Sequence, residues 1–174
     1  KHNGLWKAQA PAVLITGSIG EPRELIARLE ATGNMVYPVN SIKALIEEHH
    51  ADSIRVAAVV NMAHGRMGDN VVEFLRNRNI PLFAPLNVNR TVQSWEEDKM
   101  GMSGGFLSQS IVTPEIDGAL RSFALFGHFL GDDGLHYVAP IPERLDQFVK
   151  TINNYISLGK KQNRDKRVAI YYYK

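Results

Sequence analysis

The first 85 residues alternate short apolar runs with amphipathic segments, and this alternation constrains the fold more than any other feature of the chain. The apolar runs have the length and the β-branched content of strands, and they are VLIT (13–16), MVYPV (35–39), VAAVVN (56–61) and IPLFAP (80–85). Between them lie segments with apolar residues along one helix face, such as EPRELIARLEATGN (21–34). This order predicts a doubly wound α/β fold of the Rossmann or flavodoxin type, with a mainly parallel sheet and helices on both faces.

Residues that favour helix ends support the same arrangement. Pro22 suits the first turn of the first helix, and Gly33 is expected to end that helix. Ser41 is a candidate N-cap for the second helix, whose His49-His50 pair is expected to face solvent. Asp69, or the glycine before it, is expected to open the third helix.

The pattern becomes less regular after about residue 100. SQSIVTP (108–114) is predicted to be the fifth strand, and the segment that begins at IPERL (141–145) is predicted to be the longest helix. TVQSWEEDKM (91–100) is predicted to be a short helix, and GMSGGF (101–106) a glycine-rich loop. LRSFALFG (120–127) and HYVAPI (136–141) are predicted to be two extra strands or a flap. We expect residues 1–160 to form one α/β domain excised from a larger protein. Residues 161–174 are expected to be a linker and the first strand of the following domain.

Composition excludes several classes of site and partner. The 174 residues contain no cysteine, which excludes disulfides, thiolate metal sites and a cysteine nucleophile. The net charge is +2, and the one basic run, KKQNRDKR (160–167), favours a solvated linker over a nucleic-acid surface. No run approaches the ~18 apolar residues of a membrane span, so we expect a cytoplasmic protein without a membrane segment. Because the chain starts at Lys1 rather than methionine, the natural N-terminus and any targeting segment are expected to be missing.

Polar residues follow four of the predicted strands. The carboxyl ends of parallel strands meet at one edge of a sheet, and ligands of open α/β folds bind there. The candidates for ligand binding at this edge are Ser18, Asn61, His64, Asn87, Glu115 and Asp117. Glu115 and His64 are also the candidates for catalysis, because a carboxylate or an imidazole can accept a proton. No residue is assigned as a metal ligand.

Each candidate also has a structural interpretation. Residues 17–20 could present backbone N–H groups to a phosphate, but they lack the lysine of a P-loop and the third glycine of the dinucleotide fingerprint, which favours a plain tight turn. His64 could bind a metal or a proton, or stand exposed in a turn. If Glu115 and Asp117 serve the turn, one carboxylate should accept backbone N–H groups from the residues after Gly118 or from a neighbouring loop. If they serve a ligand, both should face solvent without a partner.

The second half of the chain carries four motifs in a fixed order. The first is a tryptophan followed by Gly-Met (Trp95 with Gly101-Met102), and the second is a Pro-Glu-x-Asp-Gly stretch (Pro114 to Gly118). The third is a helix start like IPERV (Ile141 to Leu145), and the fourth is a strand like VAIYY after a basic linker (Val168 to Tyr172). This order resembles the large subunit of aerobic cobaltochelatase and the porphyrin-binding H subunit of magnesium chelatase. The resemblance spans about residues 56–174, and the first 50 residues fit the family's more variable β-α-β region.

The resemblance implies an interior domain of a very large subunit that binds a tetrapyrrole and a divalent metal, cobalt or magnesium. Separate ATPase motor subunits are implied as the partners that drive insertion. The implied activity is an ATP-dependent ligase reaction that forms metal–nitrogen bonds, with cobalt insertion into a corrin-type macrocycle of cobalamin biosynthesis as the expected form. Insertion requires a base for the pyrrole N–H protons and ligands that remove water from the metal.

Three expectations complete this interpretation. No cofactor and no insertion activity are expected of the isolated chain, which lacks an ATP site and most of such a subunit. A tetrapyrrole- or haem-binding relative that removes metal is one alternative. A scaffold domain that docks the ATPase subunits is the other.

Overall fold

The computed structural model describes residues 9–48 and 54–173, and it contains a four-stranded parallel sheet. In chain order the strands are β1 (Ala12–Gly17), β2 (Met35–Pro38), β3 (Val56–Met62) and β4 (Leu82–Phe83). The helices between them are α1 (Arg23–Ala31), α2 (Ile42–Glu47) and α3 (Asp69–Asn77). The spatial order is β2-β1-β3-β4, and the neighbouring strands β1 and β3 are parallel, as the predicted parallel sheet requires.

A second sheet of three strands follows in the chain. β5 (Pro85–Thr91) pairs in parallel with β6 (Phe123–Leu130), which pairs antiparallel with β7 (His136–Pro140). The helical segments of this half are α4 (Val92–Glu97), α5 (Gly104–Leu107), a π-helical turn (Ser108–Val112), α6 (Thr113–Ile116) and α7 (Pro142–Lys160). The two extra strands and the long last helix that the sequence predicts are therefore present.

Helices cover both faces of the first sheet. Alternate residues of a strand point to opposite faces, and in β1 Val13 and Ile15 belong to a core with α1 and α7. Leu14, between them, belongs to a second core with Ile42 of α2 and Val71 of α3. Because both faces are buried, these strands are apolar throughout rather than alternating. The predicted α/β fold with helices on both faces is confirmed.

The run predicted as the fourth strand contributes to two sheets. The chain leaves the first sheet after Phe83 and enters the second one at Pro85. Asn87 was expected to follow the end of the strand at 80–85, and this expectation is wrong, because Pro85–Thr91 forms a strand. Leu86 and Val88 are buried while Asn89 is exposed, which is the two-residue period of a half-buried strand. Asn87 therefore lies inside β5.

The prediction of a strand at residues 108–114 is also wrong, because this segment is helical. Only Ser110 and Pro114 are buried in it, four residues apart on one helix face, and Val112 is 43% exposed. Beside β4, Ala119 forms a parallel bridge with Leu82. Tertiary context therefore overrides the strand preference of the β-branched residues in this segment.

The expected helix boundaries are largely confirmed. The Ser41 hydroxyl accepts the N–H of Ala44 at 3.2 Å and so caps α2. Gly33 follows α1 with a φ of +91°, a conformation that glycine adopts without strain. The His49-His50 pair lies outside the described residues.

The segment after α7 has no strand in the part of the chain that the structure describes. A 3-10 turn (Asn163–Asp165) follows α7, and Val168, Ile170 and Tyr173 are at least 83% exposed. The expected strand of a following domain is not formed here, and the division at residue 160 stays a prediction. None of the helices in the described part of the chain combines the length and the hydrophobicity of a membrane span.

Candidate functional site

The turn after β1 is packed against the end of β3. Gly17 has a φ of +87°, and a Cβ there would lie 2.2 Å from the backbone carbon of Met62. The N–H of Ile19 donates to the carbonyl of Met62 at 3.0 Å. A Cβ at Gly20 would lie 2.5 Å from the ring of Phe126 in the second sheet. The glycines therefore permit close packing between two sheets, and the segment is a tight turn rather than an open phosphate loop.

Asn61 and His64 meet in a shallow groove beyond the ends of β1 and β3. Asn61 is 6% exposed, and its Oδ1 accepts the N–H of Ala63 at 3.1 Å. His64 is exposed and has no hydrogen-bond partner among the described residues. The groove measures about 150 Å³ and is also lined by Thr16 and Asn40. It therefore combines one fixed amide with one free imidazole.

Asp117 holds the loop between β3 and α3. Asp117 is 4% exposed, and its Oδ2 accepts a hydrogen bond from the backbone N–H of Met67 at 2.7 Å. Its Oδ1 accepts from the guanidinium Nε of Arg66, which also contacts Asp69 at 3.3 Å. A buried carboxylate needs such partners, since burial without them is costly. Asp117 therefore accepts the hydrogen bond from a neighbouring loop that is expected if it stabilises the turn.

Glu115 lies in the turn before Asp117 but in a different environment. It is exposed, and its Oε1 accepts from the Ser122 hydroxyl at 3.4 Å, at the long limit of a hydrogen bond. The neighbouring Ile116 is 59% exposed. The two carboxylates therefore differ in their partners as well as in their burial: Asp117 holds a loop, and Glu115 is exposed with one long contact.

Asn87 joins the second sheet to the β1 turn. Its Nδ2 donates to the carbonyl of Ile19 at 3.2 Å, and its Oδ1 accepts the N–H of Asn89 at 2.9 Å. Ser18, next to Ile19, is exposed and carries no described side-chain hydrogen bond. The six predicted site residues thus form two groups. Asn61, Asn87 and Asp117 hold backbone groups, while Ser18, His64 and Glu115 are exposed.

The described residues include no group of three histidine, aspartate or glutamate side chains that could hold a metal ion. His128 and His136 do not face each other across the β6–β7 ladder, because His128 pairs with Val138 and His136 with Leu130.

Sequence reasoning missed a groove between α4 and α7. The guanidinium of Arg144 lies 4.6 Å from the ring centre of Trp95 and 5.9 Å from that of Phe123, within cation–π range. The groove measures about 710 Å³. Trp95 appears in the sequence only as the start of a motif, and nothing in the sequence pairs it with an arginine 49 positions later.

Asp98, which also lines this groove, forms an ion pair. Arg90 Nη1 lies 2.7 Å from Oδ2 of Asp98, and the N–H of Met100 donates to Oδ1 at 2.8 Å. The hydrogen bond from the Met100 N–H is the main cause of the lowered pKa of Asp98. Partial burial of the carboxylate raises this pKa, and the Arg90 guanidinium lowers it further. Asp98 thus remains ionised where it anchors the loop after α4.

Comparison with known proteins places this fold in context. The family model described as CobN/Magnesium Chelatase matches residues 10–174. Two uncharacterized proteins of Methanocaldococcus jannaschii are similar, one at 29% identity over 98 residues and the other at 28% over 107 residues. The matches cover 56% and 58% of this chain but only 8% and 9% of those proteins. The chain therefore spans less than a tenth of these relatives.

A solved structure shares the fold. The catalytic subunit of cobaltochelatase from Mycobacterium tuberculosis superposes with a TM-score of 0.70 at 20% sequence identity. The match covers 91% of this chain and 16% of that subunit. At this identity the likeness establishes the fold alone.

Proposed function

Because the chain belongs to the CobN/magnesium chelatase family, we propose that it is an interior domain of the large subunit of a metal chelatase, which binds a tetrapyrrole and a metal ion as substrates. The match of the family model to residues 10–174 carries this proposal, since it includes both sheets and all seven helices described above. The specific form proposed is cobalt insertion into a corrin-type macrocycle. ATPase subunits supply the energy, and the site of action is the cytoplasm.

The exposed polar residues supply the chemistry that this function needs from the domain. Insertion of a divalent metal releases inner N–H protons of the macrocycle, which a carboxylate or an imidazole can accept. Glu115 and His64 are exposed, and neither is held by a strong internal hydrogen bond. They are the residues of this chain that we assign to contact with the substrate or with groups from the rest of the subunit.

One observation favours a scaffold role as the second candidate. Asn87 and Asp117 form hydrogen bonds with backbone groups of neighbouring loops, and Asn61 forms one with the N–H of Ala63 in its own loop. A domain with this network is a rigid support, on which the ATPase subunits or other parts of the large subunit could dock. In that case Glu115 and His64 would not take part in the reaction.

Replacing Glu115 in the full-length protein separates the two candidates. With the ATPase subunits, ATP, cobalt and a metal-free corrin-type macrocycle, the wild-type protein is expected to change the absorption spectrum of the macrocycle as metal enters. Glu115→Gln should lower this rate about 100-fold, the usual lower range for loss of an acid–base group. Glu73→Gln on α3, also an exposed carboxylate, is the matched control.

The outcomes point in different directions. An unchanged rate in Glu115→Gln would favour the scaffold role. No insertion by the wild-type complex with cobalt or magnesium would refute the chelatase proposal itself.

A further inference from the structure

A cleft with a basic lining, the cationic cleft, lies at the amino edge of the first sheet, opposite the edge that carries the predicted site residues. It measures about 620 Å³ and opens where β1, β3 and β4 begin, beside the last turns of α3 and α7. Small ligands of open α/β folds bind at the carboxyl edge of the sheet. A partner bound at the amino edge would therefore leave the predicted site residues uncovered.

The charges that line this cleft have one sign. Five cationic side chains line it, those of Arg55, Arg76, Arg78, Lys160 and Lys166. None of the described residues that line it is an aspartate or a glutamate. With these five set aside, 15 of the 20 lysines and arginines remain against 18 acids in the whole chain. The excess of positive charge in this chain is therefore concentrated in the cleft.

Three of these cations are available to a partner. Arg55, Arg76 and Lys160 are exposed, and none of their side chains forms an ion pair or a hydrogen bond with another described residue. Elsewhere in the described part of the chain, Arg28 and Arg90 each pair with an aspartate. Because an arginine presents a planar fork of donors that fits a carboxylate, the cleft favours an acidic partner.

Apolar side chains that keep part of their surface exposed also line the cleft. Val56, Ile80 and Tyr155 are half-buried, and Leu158 is 46% exposed. An inorganic anion would gain little from covering these side chains, whereas a protein segment would bury them. Arginine and tyrosine are also enriched among the residues that dominate the energy of protein interfaces. The lining therefore suits a protein segment that carries both acidic and apolar residues.

We propose that the cationic cleft binds an acidic segment of another protein. Carboxylates of the segment pair with Arg55, Arg76 and Lys160, and its apolar side chains cover Tyr155 and Leu158. The contact is reversible, since a stable interface buries roughly 800 Å² on each partner, more than this cleft offers by itself. The inference goes beyond the proposed function, because the cleft lies at the other edge of the sheet and its charges do not depend on the reaction of the full protein.

The test measures the fluorescence anisotropy of a labelled peptide titrated with the full-length protein. The peptide consists of glutamate, serine and leucine, and a second peptide has glutamine in place of every glutamate. The acidic peptide is expected to bind saturably, and the glutamine peptide at least about tenfold more weakly, because it cannot form charge-assisted hydrogen bonds with the arginines. Single-stranded DNA with the same number of negative charges serves as the competitor and should displace the acidic peptide poorly.

Variants of the protein locate the binding site. Arg55→Gln/Arg76→Gln should weaken binding of the acidic peptide at least about tenfold. The control Lys99→Gln/Lys150→Gln removes the same charge from exposed positions outside the cleft and should bind like the wild type.

A further variant tests the apolar part of the contact. Leu158→Gln keeps a residue that favours helices at an exposed position and should weaken binding about threefold or more, because the segment loses an apolar surface to cover. Thermal denaturation checks that the variants fold. If the double variant melts lower than the wild type, the single variant Arg76→Gln replaces it and should still weaken binding.

Every other outcome would overturn the proposal. Equal binding of the two peptides, or equal weakening in both double variants, would exclude the cleft as a site for an acidic segment. Tighter binding of the DNA than of the acidic peptide would identify a nucleic-acid surface instead. Absence of binding of the acidic peptide to the wild-type protein would also refute the proposal, whereas insertion of cobalt by the complex would still support the proposed function.

Discussion

Asp117 and Glu115 show how two acids in one turn take different roles. Asp117 is 4% exposed and accepts from the N–H of Met67 and from Arg66, whereas Glu115 is exposed with one long contact. The difference follows from burial, because a buried carboxylate must find donors and an exposed one keeps its water. These two residues therefore provide a matched pair for separating stability from function.

Asp117→Ala should destabilise the protein because it leaves the partly buried N–H of Met67 without this acceptor. The loss is expected to be about 1–3 kcal/mol, which corresponds to a lower melting temperature by several degrees, at about 2–4 °C per kcal/mol for a chain of this size. Thermal denaturation measures it. Glu115→Ala is the control and should stay within about ±0.5 kcal/mol of the wild type. Equal melting temperatures for both variants would contradict the structural role of Asp117.

Asp98 adds a pH dependence to the loop after α4. Its pKa is lowered mainly by the N–H of Met100, with Arg90 assisting. A group whose pKa is lower in the folded state stabilises that state above its unfolded pKa, about 3.9 for aspartate, and loses this contribution as the pH falls through the folded pKa. The stability difference between wild type and Asp98→Asn should therefore be largest above about pH 4 and shrink below it. A difference that grows on acidification would exclude this ion pair as its source.

At the scale of elements, the β1 turn is the junction between the two sheets. It contacts the end of β3 through Met62, and Phe126 of β6 through Gly20, and it receives a hydrogen bond from Asn87 of β5. A side chain added inside this junction has no space to occupy. Its glycines are therefore required by packing and not only by backbone conformation.

Two glycine substitutions separate these requirements. Gly17→Ala places a Cβ 2.2 Å from the backbone of Met62, whereas Gly33→Ala meets nothing within 4 Å, although both residues have φ near +90°. Gly33→Ala should cost only the conformational penalty of about 1–2 kcal/mol. Gly17→Ala should cost more, because backbone must move. Urea denaturation of both variants measures the difference, and equal losses would show that the junction is looser than its contacts indicate.

The elements that the sequence predicts well are those whose burial leaves a clear pattern. β1 and β3 are apolar on both faces, and α7 places Leu145, Phe148 and Ile152 on one face. The segment 108–116 has no such pattern, since its helix buries only two side chains and its β-branched residues favour a strand locally. Residues 85–90 were misassigned because no turn signal marks the point where the chain changes sheets.

At the scale of the whole molecule, the candidate residues were predictable as a group but not by role. The rule for strand ends led to Asn61 and His64, which do lie in one groove. Sequence alone does not show that Asn61 turns inward to Ala63 and His64 outward. The cationic cleft was beyond prediction for a similar reason. The residues that line this cleft, at the amino ends of β1, β3 and β4, come from positions 9 to 166 and meet only when the elements pack.

The central claim is that this chain is one domain of a larger chelatase subunit, and a side-by-side insertion assay tests it most directly. The full-length protein and the isolated 174-residue chain are each incubated with the ATPase subunits, ATP, cobalt and a metal-free corrin-type macrocycle, and the absorption spectrum of the macrocycle is followed. We predict insertion by the full-length protein only when ATP is present, and none by the isolated chain. Failure of the full-length protein to insert metal, or insertion by the isolated chain alone, would contradict the account.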